Sequence, residues 1–207
     1  MALPVVVAVG GVADKLAELV AANGAKIKVG FGLDEGVQMG PVITAKARDR
    51  IVGLIDDAEK RGAKVALDGR GLKVEGYEGG FWLGPTVLTH VPLDAPAYKE
   101  EIFGPVLCIV DAENYAEAIE IVNASEFGNG AAIFTNDGGY ARRFQLDVEA
   151  GMVGVNVPIP TPVAYYSFGG WKESLLGDTH IHGPEGVRFY TRAKAVTTRW
   201  PSEKTYA

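Results

Sequence analysis

Few side chains in this sequence could carry chemistry. Cys108 is the one thiol, and it sits inside Val106-Leu107-Cys108-Ile109-Val110. A reactive cysteine needs an electropositive, partly open setting that lowers its pKa. One flanked by aliphatic residues reads instead as a small buried hydrophobe. The histidines are His90, His180 and His182. Asp178-x-His180-x-His182 could offer metal ligands from a loop, but a structural zinc site takes four ligands and no thiolate lies nearby. No metal site is assigned, and these residues are read as tying down their own loop. His90 reads as a surface residue at a strand end. Asp56-Asp57 falls on the polar face of a helix. Gly10-Gly11 and Gly30-Phe31-Gly32 match neither G-x-G-x-x-G nor a Walker-type phosphate loop, so both read as turns. What remains is Glu100-Glu101, directly before Ile102-Phe103-Gly104-Pro105.

These residues must be positioned by elements that the hydrophobic pattern predicts. Apolar runs over 3–9, 64–67, 85–91, 106–110, 131–134 and 153–157 read as strands, the first and fourth buried on both faces. Helical stripes lie between them. They are Val12, Leu16, Leu19 and Val20; Ile51, Leu54, Ile55 and Ala58 behind a Thr44 N-cap; Tyr115, Ala118, Ile119 and Val122 behind an Asn114–Glu117 capping box; and Tyr140, Phe144 and Val148. This alternation predicts an α/β fold, a parallel sheet with helices on both faces. A Gly-rich surface hairpin is expected over 68–80. Pro158, Pro160 and Pro162 cannot lie inside a central strand. A short helix over 186–191 and a terminal strand over 194–200 complete the reading. The main body is placed at 1–192, with a strand and tail at 193–207.

Composition limits the function further. Apolar residues make up 47% of the 207, enough for a packed core and too much for disorder. A single Cys excludes a disulfide scaffold. Net charge is −6 and the 20 Lys and Arg are scattered, which argues against nucleic-acid binding. The longest apolar run, 2–9, is far short of the ~20 residues a membrane helix needs. No basic residue precedes Lys15, so the N-terminal run lacks the flank of a signal peptide and the chain is placed in the cytoplasm.

Three ordered motifs carry a resemblance. Glu101-Ile102-Phe103-Gly104-Pro105 resembles the E-[IV]-F-G-P motif of the NAD(P)-dependent aldehyde dehydrogenase superfamily. Gly154-Val155-Asn156, followed by Ser167-Phe168-Gly169-Gly170-Trp171-Lys172-Glu173-Ser174, is similar to its N…P-F-G-G-x-K-x-S stretch. The run from Gly186 through Tyr190-Thr191, Lys194 and Val196 resembles its G-x-x-x-Y-T-x-x-K-x-V end. Asn156-Val157-Pro158-Ile159-Pro160, Ser167-Phe168 and the Gly177–Gly183 stretch look most like the CoA-acylating, methylmalonate-semialdehyde branch.

That resemblance implies a thiolate attack on an aldehyde, hydride transfer to NAD and release of the thioester to CoA. It implies that Glu101 holds the nicotinamide ribose hydroxyls, that Phe103 packs beside them, and that Phe168 and Asn156 shape the aldehyde pocket. It implies a semialdehyde substrate and a homo-oligomer. The family's nucleophilic Cys has no matching position here, and neither has its upstream cofactor domain. The chain is therefore read as the C-terminal, catalytic-domain portion, inactive and weak in NAD binding by itself. The alternative is a stand-alone, non-enzymatic assembly module of the same fold.

Overall fold

The computed structural model describes residues 3–200. Its centre is a four-stranded sheet in the order β1-β4-β3-β2, formed by β1 (Val5–Val9), β2 (Lys64–Leu67), β3 (Thr86–Thr89) and β4 (Val106–Ala112). The pairs β1–β4 and β3–β4 are parallel, with Val5 opposite Cys108 and Thr86 opposite Val106. The predicted all-parallel sheet needs one correction. β2 runs antiparallel to β3, pairing Lys64 with Thr89. Residues 68–85 lead back with no crossover helix, and the Gly69 carbonyl accepts from the Gly84 amide at 2.8 Å. A Cβ on Gly69 would lie 2.0 Å from the Gly84 oxygen, so this reversal admits no side chain there. The hairpin expected over 68–80 is a series of turns without a ladder.

Helices cover both faces, as the periodicity predicts. Along β4 the side chains alternate strictly. Val106, Cys108 and Val110 join Leu88 and the stripe Ile51, Leu54, Ile55 and Ala58 of α2 (Ala45–Lys60). Ile109 and Leu107 face the other way, with Val87 and with Ala13 and Ala17 of α1 (Ala13–Gly24). A strand with both faces covered reads as a continuous apolar run, which is why the alternation is invisible in the sequence. Thr44 caps α2 by accepting from the Ala47 amide. A short helix, α3 (Pro96–Lys99), links β3 to β4.

A second unit follows. In α4 (Tyr115–Asn123), Asn114 Oδ1 caps the amides of Ala116 and Glu117. This helix has two apolar faces: Ala118 and Ile121 belong to the sheet's core, while Tyr115, Ile119 and Val122 pack on a separate cluster of Phe144, Val148 and Ala150. That cluster belongs to a βαβ unit, β6 (Gly130–Ile133), α5 (Gly138–Asp147) and β7 (Met152–Val155), with β6 and β7 parallel. Between α4 and β6, β5 (Phe127–Gly128) pairs antiparallel with β8 (Trp171–Lys172). The last helix is α6 (Pro184–Tyr190). Residues 194–200, read as a strand, are exposed and pair with nothing among the described residues. A strand is defined by a partner's N–H and C=O groups, and this segment meets none. Residues 201–207 of the expected tail lie outside the described residues. Among the described residues, no helix is long and apolar enough to cross a membrane.

Candidate active site

Glu101 and Phe103 lie where α3 runs into β4, and one buried residue orients both. Ile102 is 1% exposed and belongs to the sheet's core. Its neighbours therefore project outward, with Glu101 exposed and Phe103 81% exposed. Gly104 lies against Ile51, and a Cβ there would fall 2.5 Å from Ile51 Cδ1. The Pro105 carbonyl then accepts from the Thr86 amide, joining the motif to the β3–β4 ladder. From α2, Arg50 donates to the carbonyls of Ile102 (3.0 Å) and Glu101 (3.1 Å) and pairs with the Glu100 carboxylate at 3.0 Å.

The second motif leaves β7. Asn156 Oδ1 accepts from the Thr135 amide at 2.9 Å and Nδ2 donates to the Thr135 carbonyl at 3.0 Å. The side chain thus extends the β6–β7 ladder by one rung, and both its polar atoms are engaged there. Phe168 is half-buried and stacks on the His182 ring, centroids 4.6 Å apart and planes 8° from parallel. His180 lies against Gly169, where a Cβ would meet its ring at 2.7 Å. These two histidines pin the Phe168 loop. Among the described residues, no group of three or more His, Cys, Asp or Glu side chains gathers as a metal would need.

A lysine in a glycine-rich loop ordinarily reads as a solvated cation, but the structure makes Lys172 a clamp. Its Nζ donates to the carbonyls of Asn123 (2.6 Å) and Ser125 (3.2 Å) and pairs with Glu149 at 2.7 Å. It fastens the loop to the end of α4. Among the described residues, four non-glycine residues adopt positive φ: His90, Phe103, Asn156 and Lys172. The last three fall within the motif stretches. Such backbone costs of order 1–3 kcal/mol per residue and persists only where its surroundings impose it. Asn is the non-glycine type that visits this region most readily, and here the Asn156 amide is held across the strands by Thr135. His90 holds Asp111 at 2.7 Å and Asp14 at 3.4 Å, tying the start of α1 to the C-terminal ends of the central strands β3 and β4. Sequence patterns single out neither Arg50 nor Lys172 as a backbone clamp, because each acts on carbonyls far away in the chain.

Cys108 is fully buried, and its thiol donates to the Ala97 carbonyl at 3.4 Å. Burial pushes it up to about 12 from an ordinary 9.0. The native state thus holds its proton where the unfolded chain releases it. The stabilisation is complete below pH 9 and drains away between pH 9 and 12. The slope is about 1.4 kcal/mol per pH unit. Urea titrations at stepped alkaline pH should show a shallower fall for Cys108→Ala than for the parent. A thiol reagent at pH 8 should label the chain only after denaturant is added.

The chain belongs to the aldehyde dehydrogenase family, whose model matches residues 1–196. It is 50% identical to the malonate-semialdehyde dehydrogenase of Pseudomonas aeruginosa, over 100% of this chain and 42% of the relative. Against a mitochondrial, acylating methylmalonate-semialdehyde/malonate-semialdehyde dehydrogenase of Bos taurus it is 45% identical, over 98% of this chain and 38% of the relative. Among solved structures it superposes with a TM-score of 0.94 on a protein from Sinorhizobium meliloti described as a methylmalonate-semialdehyde dehydrogenase and complexed with NAD. That match is 46% identical and covers 98% of this chain and 41% of the other. The chain thus spans about two-fifths of the length of these relatives.

Proposed function

We propose that this chain forms the nicotinamide-ribose and aldehyde-pocket portion of an NAD-dependent, CoA-acylating semialdehyde dehydrogenase, corresponding to the C-terminal part of the catalytic domain. The carrying observation is the presentation of Glu101 and Phe103 by a buried Ile102. A carboxylate is a pure acceptor able to take two hydroxyl donors, and Glu101 offers one in the open beside an exposed ring, which fits a ribose diol and a planar base. NAD, when bound, supplies the hydride acceptor. Glu101 fixes the ribose by accepting from its hydroxyls, and Phe103 limits the tilt of the ring. Phe168, braced by His182, forms an apolar wall for a small semialdehyde, and Asn156 sets the rim by holding the strand exit. CoA as the acyl acceptor rests on the acylating relative. The reading carries a cytoplasmic location and homo-oligomeric assembly with it.

The 207 residues by themselves do not oxidise aldehydes on this reading, because their one thiol is buried and held protonated. Incubating the purified chain with malonate semialdehyde, NAD and CoA should give no NADH absorbance. Turnover abolished by Cys108→Ser would overturn this. Calorimetry should likewise detect no micromolar NAD binding. A second reading, a non-enzymatic assembly module, draws on the exposed apolar side chains of the C-terminal stretch, where Phe189 is 65%, Tyr190 80% and Val196 76% exposed. Light scattering should then find a dimer or larger species, and a monodisperse monomer at high concentration would count against that module.

A further inference from the structure

We infer that the open edge of β1 is a docking site for one extended, apolar segment from the part of the dehydrogenase outside these 207 residues. The inference rests on the reading of the chain as one portion of such an enzyme. β1 ends the sheet order β1-β4-β3-β2, so only one of its sides is paired. The Cys108 amide donates to the Pro4 carbonyl, which fixes the phase of the ladder. Successive residues of a strand turn their N–H and C=O groups to opposite sides. Val6 and Ala8 therefore bond β4, and the amides of Val5, Val7 and Val9 point to the open side. Among the described residues, nothing pairs with those three amides. Exposed edges are ordinarily blunted by charge, proline or a bulge. β1 reads VVVAV and has none of these. Its unbroken apolar run is that of a strand inside a sheet.

The same flank is bounded by the chain's own second unit. On the sheet face that carries Cys108, α2 packs over β3 and β4, and α4 packs Ala118 and Ile121 with Val5 and Val7 of β1. Tyr115, Ile119 and Val122 hold the β6–α5–β7 unit. They lie about a quarter turn from Ala118 and Ile121 on a helix of about 3.6 residues per turn. The second unit therefore sits beside the sheet rather than above it, on the β1 flank, because α2 fills the other. β1 shares no ladder with it. Between them is a slot that admits a single strand, whereas the whole sheet of a second copy would meet the β6–α5–β7 unit. A strand added to an open edge gains affinity from backbone bonds and specificity from alternate side chains. Here α4 covers one face, so the side chains turned to it must be apolar. No described segment of this chain pairs with this edge. The chain spans about two-fifths of its relatives' length, which leaves the remaining portion as the source.

The test uses the 207-residue chain, isotopically labelled, and amide hydrogen exchange. The probes are overlapping synthetic peptides that tile the part of the Pseudomonas aeruginosa relative outside its match to this chain. One peptide, or one overlapping pair, should slow exchange at Val5, Val7 and Val9 by about tenfold at a concentration ten times its Kd. Val6 and Ala8, already bonded to β4, should change little. Val7→Pro removes a free edge amide and leaves the β4 bonds in place, so it should abolish the protection. N-methylation along the bound peptide, which leaves the protein untouched, should weaken binding with a two-residue alternation. The inference is overturned if no peptide protects the three valines, or if N-methylation acts equally at every position. It is also overturned if their protection rises with the chain's own concentration and no peptide present, because a second copy then fills the edge. The portion reading fails separately, on NADH formation by the unaided chain.

Discussion

Gly151→Ala should cost the chain about 3 kcal/mol, at the upper end of what overpacking does, and should release the Phe168 loop from its seat. A Cβ at this position would lie 1.9 Å from the Gly169 carbonyl oxygen. Both parties are backbone, so no side chain can swing aside. Gly151 is itself fixed, since its amide donates to the Gly128 carbonyl at 2.9 Å. The strain must therefore move the loop, and the β5–β8 ladder with it. Urea unfolding should show a lower midpoint. Trp171, in β8, should change its native fluorescence before any unfolding begins. A variant with parental stability and spectrum would show that residues 169–170 do not sit against the entry to β7.

Ile51→Ala should be comparably severe, about 2–5 kcal/mol, the range for emptying a buried aliphatic site. Ile51 is 1% exposed and supports two things at once, the core under α2 and the seat of Gly104. Ile55→Ala, one turn on and 0% exposed, should lose a similar amount of stability without touching the motif. The pair separates packing from positioning: only Ile51→Ala should also broaden the resonances of residues 101–104. A cycle with Gly104→Ala adds a check, because Ile51→Val removes the Cδ1 atom that a new Cβ would strike. The double variant should be more stable than the sum of the single losses predicts.

The elements whose signal is local were legible in the sequence. The Thr44 and Asn114 caps, the α2 stripe and the boundaries of β2 all depend on residues within a turn or two of one another. The antiparallel direction of β2 was not, because it depends on Gly69 meeting Gly84 across a loop whose composition suggests only turns. The short β5–β8 ladder escaped for a similar reason, its strands being two residues each and more than forty apart. Within the site, the outward Glu101 and Phe103 follow from a motif legible as a string. The hands that hold the motifs, Arg50 and Lys172, grip carbonyl oxygens, which every residue has and no sequence distinguishes. Asn156 lies between these cases: its type suits a turn, but its partner Thr135 sits 21 residues away.

The separate clustering of Phe144, Val148 and Ala150, joined to the main core through the two-faced α4, divides the chain's stability as well as its packing. Cooperative units open at their own free energies when few buried contacts connect them. The β6–α5–β7 unit, together with the loop carrying Phe168, can therefore open while the four-stranded sheet stays closed. Native-state hydrogen exchange should resolve two tiers: amides of β3 and β4 opening only with global unfolding, and those of β6 and β7 opening earlier and together. Phe168, proposed above as a wall of the aldehyde pocket, and Glu101, proposed to hold the ribose, would then belong to different tiers, so on that proposal the pocket could loosen for exchange of its contents without disturbing the Glu101–Phe103 surface.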